Sequence, residues 1–402
     1  MPTTLHHHRT PFDDWRSILI SVYLTLIGYG VQVAMPVISA ARMELLGFSK
    51  VEVGRVAGAD LGGLALGALL AALLLGRADR RVLVIVGAAL VVVANGLCMT
   101  YPQYEPTLWL RGVAGIGGGL CTAVAVSSLG ASSRPARAYN IMLFAFAFFQ
   151  ALEMRVLPTL SMNGIYWLFI WGFVAGAAGV RWLPARPHES ILDAELDVAE
   201  PSGGHHLEHR RVPAYIPWLG LAAIFFTYVN IGGYWTYIEL AADDAGVAEG
   251  LMRGLLEWGS LASITGCLLA TRISDRFGLA RPLMMTLASM ALAVGLLHSG
   301  IDAGKVVVSI LSFNLLWTFV DIFQMSSVAN ADHSGVFAAL MPGAQGLGQI
   351  VGPNLAASLL DASLGYDAVF LLCALSTLIG LAVYAAMYWR LRRLIPALAD
   401  AS

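Results

Sequence analysis

Charge is what this chain has least of. Only 12 % of its 402 residues are Asp, Glu, Lys or Arg, about half the share of a soluble domain. That scarcity excludes an ordinary water-soluble globule. The formal net charge is −2 and the basic residues are scattered over many short segments, which leaves no basic patch for a nucleic acid. Cysteine is scarce too. Cys98, Cys121, Cys267 and Cys373 each fall within or beside a different apolar run, so they read as small packing residues, not a disulfide framework. No Gly-x-x-x-x-Gly-Lys-Ser/Thr loop is present, and neither His-Glu-x-x-His nor Gly-x-Ser-x-Gly occurs. The first absence removes an ATP-driven machine, and the others remove the commonest hydrolase sites. The N-terminal segment has no small-residue cleavage site and its first apolar run is long, so it reads as a retained helix.

What is abundant is hydrophobic length: 58 % of residues are apolar. Twelve runs stand out, near residues 17–41, 53–76, 82–101, 107–130, 139–161, 164–183, 214–240, 250–271, 282–300, 305–328, 335–359 and 367–389. A hydrocarbon core about 30 Å thick takes roughly 20 residues per helix, and lipid admits only helices or closed barrels. The expected fold is an all-α membrane protein with twelve transmembrane helices. The only long polar stretch is 184–213, PARPHESILDAELDVAEPSGGHHLEHRRVP. It divides the chain into a six-helix bundle over 1–183, a linker over 184–213 and a second six-helix bundle over 214–402. His205, His206, Glu208 and His209 in it read as a solvated tract, so no metal site is expected. On alternating topology 17 of the 24 basic residues fall on one face and 5 on the other. By the positive-inside rule both termini are cytoplasmic, and the compact loops suit a bacterial inner membrane. Arg42, Lys50 and Arg55 are assigned to the outer face, and only Arg111 and Arg155 lie inside spans.

Two short charged loops repeat between long apolar runs, Gly76–Arg81 and Ser274–Arg281. Asp79-Arg80 and Asp275-Arg276 are 196 positions apart, near half the chain. Internal repeats of this kind mark secondary transporters. With the twelve spans, the middle linker and the run Arg111-Gly-Val-Ala-Gly-Ile-Gly-Gly-Gly119, the chain resembles the major facilitator superfamily. The resemblance implies two pseudo-symmetric bundles, alternating access and a cavity lined by the first, fourth, seventh and tenth spans. It implies that Asp79, Arg80, Asp275 and Arg276 act as gates, against the plainer reading of positive-inside anchoring. It ties Arg111 to proton coupling. On chemistry alone Arg111 could equally grip a substrate carboxylate or form a structural pair.

Acids inside the membrane are costly, by roughly 2.5–3.5 kcal/mol each on insertion scales. Asp60, Glu153, Glu257 and Asp321, with Arg155, are therefore candidates for proton coupling. Shifting Asp60 by 196 lands one residue from Glu257. Glu153 and Arg155 are too close in sequence to pair with each other on a helix. The tenth span carries Asn314, Trp317, Asp321 and Gln324 on one helical face. The first carries Thr25, Tyr29 and Gln32. The seventh carries Tyr228, Trp235 and Glu239 on one face and Asn230, Tyr234 and Tyr237 on another. A break at Gly232-Gly233 would be needed to aim both at one cavity. Candidate substrate contacts are Tyr29, Gln32, Arg111, Tyr228, Asn230, Tyr234, Trp235, Asn314 and Trp317. The eleventh span, with Pro342, Pro353 and a face bearing Gln345 and Gln349, reads as a gating helix. The expected protein is a monomeric carrier with no catalytic residues, cofactor or metal. It takes up a small aromatic or anionic solute with protons, or alternatively expels an amphipathic compound in exchange for them.

Overall fold

The computed structural model describes residues 11–75, 77–132, 135–184, 213, 215–277, 280–331 and 336–394. The linker with its histidine tract lies outside them apart from its end residues. The described chain is helical: α1 Trp15–Val33, α2 Met35–Leu46, α3 Lys50–Leu74, α4 Arg80–Thr100, α5 Tyr104–Gly130, α6 Pro135–Val156 and α7 Met162–Ala178, then α8 Tyr215–Asp244, α9 Glu249–Phe277, α10 Ala280–Gly295, α11 Ala303–Ala331, α12 Val336–Asp361 and α13 Gly365–Leu394. Among the described residues nine helices are long and apolar enough to cross a bilayer, and Met162–Ala178 is a shorter apolar helix. The outward surface is oily: Leu73, Trp109, Trp171, Trp258 and Leu292 are exposed, Trp109 by 76 %. An apolar exterior of this extent belongs in lipid.

Local signals set the helix ends. Ser49 and Glu52 form a reciprocal capping box at the start of α3, and Asp79 and Ser161 cap α4 and α7, each satisfying amide hydrogens that a helix start leaves unpaired. Gly47 closes α2 at φ +71, a left-handed turn that glycine takes without strain.

Three sequence expectations are corrected here. The first apolar run is two helices, broken at Ala34. Pro36 has no amide hydrogen to give, so the ladder is interrupted just there. The seventh run is the reverse: α8 runs unbroken through Gly232-Gly233. At Gly232 an added Cβ would meet the Gln349 backbone at 3.0 Å, so this glycine lets a neighbouring helix come close. The segment Ser274–Arg281 is mostly helical, since α9 extends to Phe277 and α10 begins at Ala280.

Helices α1, α3, α4 and α7 gather around α5, or, for α7, against α4. Helices α12 and α13 pack on α8, and α9 and α10 pack on α11. Contacts between the stretches before and after the linker run through α3 with α12, α6 with α9, and α2 with α8. They concentrate toward the end that carries Lys50. There Lys50 pairs with Asp244 at 2.7 Å and lies over the Tyr366 ring. Tyr237 donates to the Lys50 carbonyl, and Arg55 donates to Asn354 and Ser358.

Candidate functional site

A buried ionic network joins α2, α3, α4 and α5. Arg111 donates its Nε–H to Asp60 Oδ1 at 2.8 Å and its Nη1–H to Asn95 Oδ1 at 2.8 Å. Arg42 donates Nη2–H to the other Asp60 oxygen at 2.5 Å. The glycine run after Arg111 explains how it reaches Asp60. A Cβ on Gly115 would lie 2.2 Å from the Asp60 carbonyl, and one on Gly119 2.0 Å from the Leu64 carbonyl. Only bare backbone lets α3 and α5 approach so closely. Beside the network is a cavity of about 20 Å³ lined by Gln32, Asp60, Asn95, Arg111 and Phe169, among others. It has room for a water or two at about 10–15 Å³ each.

Arg42 corrects the loop count. It is completely buried, 0 % exposed, and not on an outer loop. The signal was in the sequence: Gly47 followed by Ser49-x-x-Glu52 ends the helix five residues beyond the apolar run.

A second constellation lies between the two stretches of chain. Tyr228 of α8 donates to Asp321 of α11 in a short hydrogen bond. Trp317 and Tyr29 lie close enough to interact with that pair. Trp235 stacks on Phe313 at 5.6 Å and 9°, and meets Trp317 edge-on at 6.1 Å. Its indole N–H is donated across to the Val33 carbonyl of α1 at 2.8 Å. Gln324 binds Thr227 on the adjoining α8 surface. A cavity of about 10 Å³ is walled by Gln32, Leu61, Trp235, Trp317 and Gln349. Gln32 thus faces this cavity and the one beside Asp60, and its buried Oε1 has no hydrogen-bond partner among the described residues.

The other candidates are dispersed. Tyr234 shares a hydrogen bond with Ser309 and packs on Phe313 and Phe370. Asn230, one turn before it, is buried with both amide atoms unpartnered among the described residues. Tyr234 and Trp235 meet the same ring, Phe313, so Tyr234 adjoins the aromatic group while its hydroxyl is engaged by Ser309. Asn314 is buried, donates to its own helix and faces Gly259 of α9. Thr25 likewise spends its hydroxyl on the Ser21 carbonyl. Arg155, expected inside the membrane, has a side chain 71 % exposed and pairs with Glu257 at 2.9 Å. The two acids related by the repeat offset are therefore held differently, Asp60 by two buried guanidiniums and Glu257 by one exposed one. Glu153 is buried, and among the described residues neither of its oxygens has a partner. Its Oε1 lies so near α1 that a Cβ on Gly30 would be 2.7 Å from it.

Of the gate residues, Asp79 accepts from the Arg81 amide. Arg80 is buried, binds Ser128 Oγ at 3.2 Å and covers the Phe12 ring. These contacts keep both within their own stretch of chain. The side chains of Asp275 and Arg276, like that of Cys267, lie outside the described residues. Cys98, Cys121 and Cys373 are buried free thiols. Among the described residues no group of three or more His, Cys, Asp or Glu is placed to hold a metal.

No curated protein matches the chain in sequence. In three dimensions it is similar to a D-xylose-proton symporter, with TM-score 0.71 and 15 % identity over 92 % of this chain and 97 % of that one. It is also similar to the nucleoside transporter NupG, with TM-score 0.67 and 13 % identity over 92 % and 98 %. A POT family transporter solved with 5-aminolevulinic acid gives TM-score 0.68 and 12 % identity over 98 % of both chains. At such identities the likeness concerns the fold alone. The sequence itself matches the Major Facilitator Superfamily over residues 20–332. This multi-pass membrane chain, with its Arg111–Asp60 network and its aromatic–acid cluster between two helical stretches, belongs to the Major Facilitator Superfamily.

Proposed function

We propose that the protein is a monomeric secondary transporter that takes up a small organic solute with protons by alternating access. The observation that carries the reading is the cluster Tyr29, Gln32, Tyr228, Trp235, Trp317 and Asp321, a carboxylate set among aromatic walls where α1 meets α8 and α11. Twelve crossings are reached by adding α7, α9 and α12 to the nine long apolar helices, with α2 continuing α1. Two six-helix bundles, 1–183 and 214–402, then rock about the cluster. The basic-residue asymmetry puts both termini and the Arg80 end in the cytoplasm of a bacterial cell. The Lys50 end is then the outer gate, shut in this structure by Lys50–Asp244, Arg55–Asn354 and Trp235–Val33.

The placement of the cations narrows the cargo. Arg111 is engaged by Asp60 and Asn95, and Arg155 is paired on the surface. The central cluster therefore offers an acid and aromatic faces, which suit a neutral or basic aromatic body better than an anion. Asp321 and Glu153 are the proton-coupling residues in this reading. Asp321 touches the cargo site. Among the described residues Glu153 has no counter-ion, and a proton removes the charge that the apolar interior penalises. The same acid-and-aromatic cluster also suits a lipophilic cation expelled in exchange for protons.

Reconstituted proteoliposomes with an internal pH dye decide between these. Adding aromatic amines, acids and neutral amphiphiles in turn, symport gives substrate and proton entry together, and exchange gives opposed fluxes. Asp321→Asn is expected to lose uptake and binding. Glu153→Gln is expected to keep substrate counterflow and lose proton movement. A substrate carried by the wild type with no proton flux of either sign would refute the coupling.

A further inference from the structure

The cavity between the two stretches of chain has most of its polar wall already engaged. Trp235 donates its indole N–H to the Val33 carbonyl at 2.8 Å, and Thr236 donates its hydroxyl to the Gly232 carbonyl at 2.7 Å. Met35, Leu61 and Ile231 bring only apolar side chains. What remains on the wall, beside the Trp317 indole, is a pair of carboxamides, Gln32 of α1 and Gln349 of α12. The Gln32 Oε1 is buried and accepts no hydrogen bond among the described residues. A buried acceptor in that condition is destabilising until a donor meets it.

Backbone contacts hold both glutamines in place. Val33, next to Gln32, is tied to Trp235 by the indole bond, just before the break at Ala34. Gln349 reaches the same wall because Gly232 has no side chain: a Cβ there would lie 3.0 Å from the Gln349 Cα. Gln32 precedes the linker and Gln349 follows it, so a ligand touching both joins the two stretches of chain. A primary carboxamide carries one acceptor oxygen and two N–H donors in one plane. Two of them beside flat indoles complement a flat ring whose edge sets a donor next to an acceptor, the match by which Asn and Gln read the edge of a base. An aromatic hydrocarbon would leave the Gln32 oxygen unmet. In this closed form the cavity, about 10 Å³, holds no more than a water, so such a ring enters when the two stretches part and is gripped as they close.

We propose that the cargo is a planar nitrogen heterocycle bearing a ring N–H beside a carbonyl or ring-nitrogen acceptor. Gln32 Oε1 accepts the N–H, the Gln349 amide donates to the acceptor, and Trp235 and Trp317 bound the ring. The inference rests on the cargo site proposed above and names what that site selects.

The test is calorimetric binding to the purified full-length protein in lipid nanodiscs. The probes are 2-quinolone, hypoxanthine and uracil, each beside its N-methylated counterpart, which keeps ring and carbonyl but lacks the N–H. Phenethylamine is the aromatic probe without a heterocyclic edge. At least one N–H probe should bind about 5- to 150-fold more tightly than its methylated counterpart, the range for one unmet buried acceptor. Gln32→Leu should bring that ratio to about one by weakening the N–H form. Gln349→Leu should weaken both forms alike, because both keep the carbonyl, and it decides alone should Gln32→Leu fail to fold. A preference that survives Gln32→Leu would come from the bulk of the methyl group and would overturn the proposal. Phenethylamine binding that Trp317→Ala removes, with no N–H preference in any pair, would overturn this inference and leave the cargo site standing. Failure of every probe to bind would overturn both.

Discussion

Replacing Trp235 by Phe should loosen the Lys50 end of the molecule. The ring stack on Phe313, at 5.6 Å and 9°, survives in the variant, because phenylalanine keeps an aromatic face. What disappears is the indole N–H that Val33 accepts at 2.8 Å. In the closed form the Val33 carbonyl is then buried without that donor, whereas in a form with this end open water can reach it. An unmet buried acceptor costs about 1–3 kcal/mol, which moves the closed–open equilibrium by about 5- to 150-fold toward opening. Asp244→Asn is the comparison. The Lys50–Asp244 pair is half exposed, and such pairs contribute about 0.2–1 kcal/mol and weaken with salt. The assay is the rate at which a bulky, membrane-impermeant maleimide labels a cysteine at Thr236, buried on the wall of the cavity beside Trp235, in a background with the four native cysteines replaced by serine. Trp235→Phe should accelerate labelling at every salt concentration, and Asp244→Asn by less and only at low salt. Labelling unchanged or slowed in Trp235→Phe, with the protein folded, would refute the reasoning that this bond holds the two stretches together.

Two further outcomes are expected. Asp60→Asn leaves two buried guanidiniums without their counter-charge and should destabilise the protein by about 3–5 kcal/mol; coupling it with Arg42→Gln should recover part of that loss, read as Tm in a double-mutant cycle. Gly115→Val should also lower Tm sharply, since even its Cβ would collide with the Asp60 carbonyl at 2.2 Å, whereas Gly254→Ala, with nothing within 4 Å of its Cβ, should be silent.

Helical periodicity made the faces legible but not their targets. Trp317 and Asp321 were visible as one stripe, and so were Tyr228 and Trp235, and the structure sets these two stripes against each other. Tyr234 of the other α8 stripe shares a hydrogen bond with Ser309 and packs on Phe370 and on Phe313, the ring that Trp235 also stacks on. Spacing along one helix says which residues travel together; the neighbour they meet is chosen by tertiary packing. The same limit applies to Arg111 and Asp60, which are 51 positions apart, and to Arg155, whose partner Glu257 is 102 positions away. Arg42 was missed for a different reason. Hydropathy ended the first span at the last apolar residue, whereas the helix ends where Gly47 and Ser49 stop it. A charged residue can lie inside a membrane helix when its partner is supplied by another.

The break at Ala34 divides the first crossing between two sets of neighbours. Below it α1 rests on α5 and α6, while above it α2 leans on α8 and holds Asp60 through Arg42. A single crossing therefore has two mechanical allegiances, one on each side of a one-residue joint. Distances measured from a spin label on α1 and from another on α2 should not change in step when the molecule changes state. Treating residues 15–46 as one rigid rod would average two displacements into a motion that neither half performs.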